Sequence, residues 1–303
     1  MLVTQGTIAN LHVGFSTVFK GSLKSASNDW REVARRVPSS TRRNEYAWLR
    51  NIPRIRRTLG DKIFESLIRK AYTIENYKFH SGVEVDVDDI EDDNIGSYNL
   101  AFEMHAKEAS HWLDQAVYTL LPRGLTSAGL CYDDEPFFSQ AHSKLKSGET
   151  YSNLAPGAEA PWYLLETQGG VQPFILQERK PLRLSIQNQP TDNKVFEDDE
   201  VRWLIKGRYG FGYTFPQFAY ASQLALNEEN LESAFVAMMQ QTGDDGRKLN
   251  IKPRLLVVGP SNYFAAERLI KALQVEGGGT NIHAGSLKVV SSQFVEEVAI
   301  QLD

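Results

Sequence analysis

Cysteine is nearly absent from the sequence: Cys131 stands alone in 303 residues. No intrachain disulfide is possible, and the small disulfide-stapled scaffolds are excluded. Long apolar runs are missing as well. The longest aliphatic stretch lies around "LLVVG" at 255–259, far short of the roughly 20 apolar residues a membrane helix needs. No membrane span is expected. The opening "MLVTQGTIANLHVGF" lacks the charged and apolar regions of a signal peptide, so synthesis inside a cell is expected. Excess positive charge is also lacking. With 33 Lys and Arg against 38 Asp and Glu, the net charge of −5 gives no footprint for gripping phosphates, which disfavours sequence-specific nucleic-acid binding.

Motifs that carry chemistry are missing too. "GRYGFG" places Gly207, Gly210 and Gly212 in neither a GxGxxG nor a Walker A pattern, and "EGGGTN" lacks the Walker lysine. Turns or bulges account for these glycines. "GPSNY" is not a GxSxG elbow, and Ser261 reads as a helix cap. His105 and His111 are six apart, not the i, i+4 of a zinc-binding HExxH. Cys131 has no family signature that would pair it with His142 as a nucleophile, and a buried thiol is the plainer reading. No catalytic, cofactor-binding or metal-ligating residue is assigned.

What the sequence does hold is a core: 42% of its residues are hydrophobic, enough for one or two domains. The first forty residues read as a small arm, with Leu11, Phe15, Val18 and Phe19 at helical spacing and a break at "KSASNDW". "EYAWLRNIPRIRR" (45–57) reads as a basic extended edge carrying Arg50, Arg54, Arg56 and Arg57. "AYTIENYKFHSGVEVDVDDI" (71–90) alternates as strands do.

Seven carboxylates fall within the fourteen residues 83–96. An EF-hand begun at Asp86 has Ile90 fifth and Glu91 in place of glycine; one begun at Asp89 has Leu100 where the bidentate Glu belongs. A calcium loop is therefore a poor fit, and a solvated run gives no sign of the fixed carboxylate pair a glycosidase needs. Val83, Val85 and Val87 alternate with Glu84, Asp86 and Asp88, so the first half reads as the wet face of a strand. Asp89 to Asp93 precede the stripe Ile95, Tyr98, Phe102, Ala109, Leu113, Ala116 and Leu120, where acids favour a helix N-terminus. From residue 95 to 121 that helix would run about 40 Å, ended by Pro122 and Gly124. Strands follow at "WYLLET", "PFILQERK", "VRWLIKGRYG" and "FGYTFPQFAYAS". "NEENLESAFVAMMQQT" is an amphipathic helix with Leu231, Phe235, Met238 and Met239 on one side. A buried strand "RLLVVG", a helix capped by Ser261 or Asn262, and a last strand "SLKVVSS" complete the chain. A basic strand beside an acidic one suggests pairing between the two or with a neighbouring subunit.

In order along the chain, "YAWLRNIPRIRRTLGDK", "YTIENYKF", "DDIEDDNIGSY", "CYDDEPFF", "PWYLLET", "PFILQERK", "GFGYTFPQFAYAS" and "GRKLNIKPRLLVVGPS" resemble segments of the major head subunits of Mu-like phages and prophages. The resemblance runs nearly end to end; it departs at "SQAHSKLKSGE" and "TNIHAGSLKVV". It implies an α+β protein of the HK97-like capsid fold: an N-terminal arm (1–43), an extended E-loop (44–89), a P-domain with a long spine helix and β-strands (90–222), and a connecting helix with an A-domain (223–303). It further implies a virion capsid protein, made in the bacterial host cytoplasm, that self-assembles into hexamers and pentamers of an icosahedral head around double-stranded DNA, without sequence-specific binding. Scaffold, portal and decoration proteins are the implied further partners, with no cofactor and no membrane. The strands of Trp162 to Ser222 would precede the A-domain, where many related shells place them after it. Arg50, Arg54, Arg56 and Arg57 of the flap, with Glu84, Asp86 and Asp88, are the candidate inter-subunit contacts. In an isolated subunit the arm and flap are expected to be poorly ordered, because uncovered strands lack partners. Lys62, Lys70 and Asn76 are of suitable type for covalent crosslinking, but nothing around them signals it. A nanocompartment shell of the same fold, a calcium-binding module and a carboxylate-dependent hydrolase are the alternatives.

Overall fold

The computed structural model describes residues 5–26, 29–46, 72–91, 95–144, 148–168, 172–187, 199–243, 246–274 and 279–296. Arg50, Arg54, Arg56 and Arg57 lie outside these residues, as do Lys62 and Lys70. The helices are α1 (Gln5–Ser25), α2 (Trp30–Val33), α3 (Val87–Glu91), α4 (Ile95–Tyr118), α5 (Leu120–Arg123), α6 (Glu228–Met239) and α7 (Tyr263–Lys271). The strands are β1 (Ala34–Pro38), β2 (Arg43–Tyr46), β3 (Tyr72–Glu75), β4 (Tyr77–Asp86), β5 (His142–Ser143), β6 (Thr150–Tyr151), β7 (Leu154–Ala155), β8 (Trp162–Leu165), β9 (Phe174–Gln187), β10 (Glu200–Tyr213), β11 (Ala219–Ser222), β12 (Leu255–Val258) and β13 (Lys288–Ser291).

Two sheets organise the chain. In the first, β9 and β10 form an antiparallel ribbon of 14 residues each, with β1 added parallel to β9 and β4 antiparallel to β10. Alternation along β10 turns Val201, Trp203, Ile205 and Tyr209 inward, where every second residue of a strand must point. The helix opposite is α4, whose 24 residues span about 36 Å at 1.5 Å per residue. The expected apolar stripe faces the sheet: Phe102, Ala109, Ala116 and Leu120 are buried. The regular run ends at Thr119, whose hydroxyl and N–H both donate to the Gln115 carbonyl, at 2.7 and 3.0 Å. The short turn of α5 then ends at Gly124.

The arm has no core of its own, as its sequence implied, and α1 solves this by lying on α4. Phe15 stacks on Phe102 (centroids 3.4 Å apart) and both meet Trp203 edge-on, while Phe19 packs with Ala106, Ala109 and Ile205. Within the expected arm, β1 joins the first sheet beside β9. Just before it, the Trp30 backbone N–H donates to Asp114 on α4 at 2.8 Å.

The second sheet has the order β13-β12-β8-β11-β7. "WYLL" of β8 and "LLVV" of β12 are buried at every position, the signature of a strand covered on both faces. Trp162, Leu164, Leu256 and Val258 face α6 and α7; Tyr163, Leu165, Leu255 and Val257 face the aromatic core around Leu120, Leu121, Phe137 and Phe138. This pairing departs from the expected grouping at residue 222. β8 and β11 pair with each other, and β8 also pairs with β12, so one sheet takes strands from both sides of that line. Of the strands between 162 and 222, only the long β9 and β10 share the sheet that packs on the spine helix, and β10 alternates along its first half, whereas "WYLL" is buried at every position.

Three smaller expectations also change. Met239 is exposed, and Ala234 takes its expected place beside Leu231 and Met238. Ser261 caps no helix: its N–H and hydroxyl both donate to Glu296 at 2.9 Å, and the Asn262 side chain donates to the Ala160 carbonyl. Gly207 sits at an irregularity of β10, as a bulge reading requires, but Gly210 and Gly212 are mid-strand, where β3 crosses so closely that a Cβ would lie 2.5 Å from Glu75 O or Ile74 Cδ1.

Candidate assembly surfaces

The base of the expected flap is a two-stranded ribbon, β2 against β3, with Arg43 opposite Glu75 and Tyr46 opposite Tyr72. So small a ribbon is not stable alone and has to be held by its surroundings. Three anchors do this. The buried Tyr46 hydroxyl donates to Gln177 of β9 at 2.8 Å, and Gln177 donates onward to the Ile74 carbonyl at 3.3 Å. Asn76 donates through its side chain to Ser39 Oγ and Thr41 O, at 2.8 and 2.9 Å. Arg42 pairs with Glu75 at 2.7 Å on the surface, a contact worth about 0–1 kcal/mol.

The acidic run divides between two structural tasks. Its strand half ends at Asp86, with Val83 and Val85 turned inward and Glu84 and Asp86 exposed, as the alternation requires. Among the described residues the partner of this strand is β10: ten residue pairs join the two, from Glu200 opposite Asp86 to Tyr209 opposite Tyr77. Glu84 faces Arg202 and forms an ion pair with it at 2.7 Å. Asp86 accepts the backbone N–H of Asp88 at 2.8 Å, turning the chain into α3, where Asp88 and Asp89 occupy the first turn. Asp89 also accepts from the Tyr98 hydroxyl of α4. Among the described residues β4 is the outer strand of its sheet, paired on one side only, so every second amide, those directed at β10, should be protected from hydrogen exchange even in an unassembled subunit. Exchange of residues 78–85 as fast as in an unfolded peptide would contradict that pairing. The expectation that the flap strands lack partners is thus corrected for β4 on its β10 side only.

Apolar side chains left in water mark where a partner can add burial. Leu100 and Met104, one turn apart on α4, are 62% and 65% exposed, and Phe264, Leu273 and Ile282 around α7 exceed these values. Of the histidines on α4, His105 bonds Ser81 at 2.8 Å and burial pushes its imidazole below the ordinary range. His111 is exposed, so the two do not converge.

Cys131 and His142 do come together, through Asp133, which neither motif nor spacing had indicated. The thiol donates to Asp133 Oδ1 and His142 Nδ1 lies on Asp133 Oδ2, both at 2.8 Å. Burial and the adjacent Asp133 push the thiol far above its usual value, which is the opposite of what a nucleophile needs. Burial of Asp133 would raise its carboxyl, but hydrogen bonds from His142 and Cys131 outweigh it and hold the group below its ordinary range. Among the described residues no helix is long and apolar enough to cross a membrane.

A spine helix backing a long ribbon, an anchored flap base, and a second sheet flanked by helices define a subunit of the HK97-like capsid fold. Solved structures with this architecture include the procapsid of bacteriophage JBD30, matched with TM-score 0.82 at 33% identity over 96% of this chain and 100% of that one. The JBD30 capsid decorated with minor capsid protein trimers matches with TM-score 0.76 at 27% identity over 90% and 92% of the two chains. In sequence, the chain is 34% identical to the "Mu-like prophage FluMu major head subunit" of Haemophilus influenzae, over 91% of this chain and 92% of the relative. It is 30% identical to the "Major capsid protein" of Escherichia phage Mu, over 97% and 100%. Residues 8–295 match the family model "Mu-like prophage major head subunit gpT", and the chain belongs to that family of major capsid proteins.

Proposed function

We propose that copies of this chain associate as hexamers and pentamers into a closed icosahedral head around double-stranded DNA, and that the subunit acts structurally, without catalysis. The observation that carries this reading is the near full-length likeness to the JBD30 procapsid subunit. A net charge of −5 suits a container that must not grip its genome tightly. On this reading the chain is made in the host cytoplasm and ends in the virion. The likeness to the decorated JBD30 shell supports a minor capsid protein as a further partner, with scaffold and portal proteins expected beside it.

Within the subunit, residues 1–43 act as the arm, 44–89 as the E-loop, and α4 with β9 and β10 as the P-domain. The A-domain then comprises the sheet of β7, β8, β11, β12 and β13 with α6 and α7. Arg50, Arg54, Arg56 and Arg57 act at contacts between subunits. Glu84 is already engaged by Arg202 of its own chain, so Asp86 and Asp88 are the better acidic partners for a neighbour's arginines. Each such pair is worth about 0–1 kcal/mol, and a shell repeats it at every equivalent contact. The variant Arg54→Glu, Arg56→Glu, Arg57→Glu is expected to fold but to assemble poorly, scored by sedimentation of shells against free subunits. Wild-type shell yield from this variant would remove these arginines from the contact.

A further inference from the structure

The cluster of Cys131, Asp133 and His142 has no part in the capsid contacts described above. It is closed from solvent: the His142 and Asp133 side chains are 0% and 3% exposed, and Cys131 is 3% exposed. One ligand atom from each residue, sulfur, carboxylate oxygen and imidazole nitrogen, lies within 4.8 Å of the other two.

The hydrogen bonds around His142 define its protonation at one nitrogen. Asn153 donates through Nδ2 to the carbonyls of Phe137, Pro216 and Ala219 at 2.8, 3.1 and 3.3 Å, and its Oδ1 accepts from the Ser139 N–H at 2.9 Å. Both ends of the amide are thereby assigned. His142 Nε2 lies 3.2 Å from that Oδ1 and 3.2 Å from Phe137 O, two acceptors, so Nε2 carries a proton. Nδ1, on the other side of the ring, faces Asp133 Oδ2 at 2.8 Å. A bare lone pair against a carboxylate at that distance is repulsive. The position between them is held by a proton or by a metal ion. An imidazole whose remote N–H is fixed by carbonyl oxygens is the usual orientation of a metal-bound histidine.

A second, independent feature lies on the same ring. Tyr151 stacks on His142 with centroids 5.0 Å apart and is only 9% exposed. Its hydroxyl lies against Tyr132, so this side of the pocket is closed by an aromatic pair.

We propose that Cys131 Sγ, Asp133 and His142 Nδ1 form a three-residue site for a divalent metal of the zinc class, its fourth position taken by one water. Thiolate, imidazole and carboxylate together suit zinc or cobalt(II) better than calcium or magnesium. Bond lengths of about 2.0–2.3 Å in a tetrahedron separate ligand atoms by about 3.3–3.8 Å; the two 2.8 Å contacts fall on different oxygens of Asp133, so binding turns the carboxylate aside and draws together a sulfur, nitrogen and oxygen already within 4.8 Å of one another. Binding expels the thiol proton and the proton held between His142 and Asp133 to solvent, with no change of oxidation state. The metal would fasten the loop after α5 to the hairpin of β5 and β6.

The full chain, stripped with a chelator and titrated with Co²⁺ near neutral pH, tests this. The background is Glu228→Gln with Glu232→Gln, which removes the exposed cluster formed with His283. One equivalent of Co²⁺ is expected to bind with a thiolate-to-cobalt charge-transfer band and a raised melting temperature, and Zn²⁺ should abolish the band. Because Cys131 is the sole cysteine, the band can arise nowhere else. Cys131→Ser should lose it. Uptake of Co²⁺ without the band, or no stoichiometric uptake and an unchanged melting temperature, overturns the proposal and leaves a hydrogen-bonded ion pair only. Both readouts use the parent chain, so they decide the matter even where the Cys131→Ser protein fails to fold.

Discussion

Trp203→Ala is expected to destabilise the unassembled subunit by about 3–5 kcal/mol, the cost of emptying a large aromatic site in a packed core. Trp203 is 1% exposed and joins three elements at once: β10 carries it, Phe102 of α4 lies against it, and Phe15 of the arm closes over both. Its loss should therefore free α1 as well as lower the global stability, seen as faster hydrogen exchange across residues 8–24. Trp203→Phe should cost much less, because it keeps most of the ring and removes an indole N–H that has no partner. Leu100→Ala, on the exposed face of α4, serves as the control, with an expected change within about 0.5 kcal/mol. Urea midpoints that rank the alanine variants equally would contradict the packing described.

Gly210→Val should strike the flap base instead of the core. A Cβ at this position lies 2.5 Å from Glu75 O and 2.8 Å from Ile74 Cγ2, so β3 has to move away from β10. Overpacking of this kind costs about 1–3 kcal/mol. The damage is local: the subunit should still fold, while the Tyr46–Gln177 and Gln177–Ile74 hydrogen bonds that hold β2 and β3 are lost or lengthened. Shell formation is expected to collapse out of proportion to the fall in melting temperature. Gly82→Ala, whose Cβ would meet Trp203 O at an ordinary 3.4 Å, should leave assembly intact. Equal assembly by the Gly210 and Gly82 variants would show that the crossing of β3 does not position the flap.

These effects separate what the sequence made legible from what it did not. The spine helix was readable because its stripe from Phe102 to Leu120 is long and periodic, and β4 because Val83 and Val85 alternate with acids. Local signals of that kind need no knowledge of partners. The choice of partner was not readable. Residues 77–86 carry no mark that selects Arg202 and its strand as their neighbour, since strand pairing is decided by what the whole sheet can bury. The same limit explains the sheet that joins β8 and β11 to β12 across residue 222. "WYLL" announces a strand covered on both sides without saying by what. Gly210 and Gly212 resembled turn residues for a similar reason: their purpose is the close passage of another strand, which is a fact of tertiary structure. The meeting of Cys131, Asp133 and His142 depended on a loop closing on a hairpin, held by the side-chain hydrogen bonds of Asn153.

Electron microscopy of the purified chain, alone and coexpressed with its genomic neighbours, tests the central claim most directly. Closed shells or capsomer rings built from this subunit are the predicted result. A protein that stays monomeric under both conditions would contradict the account.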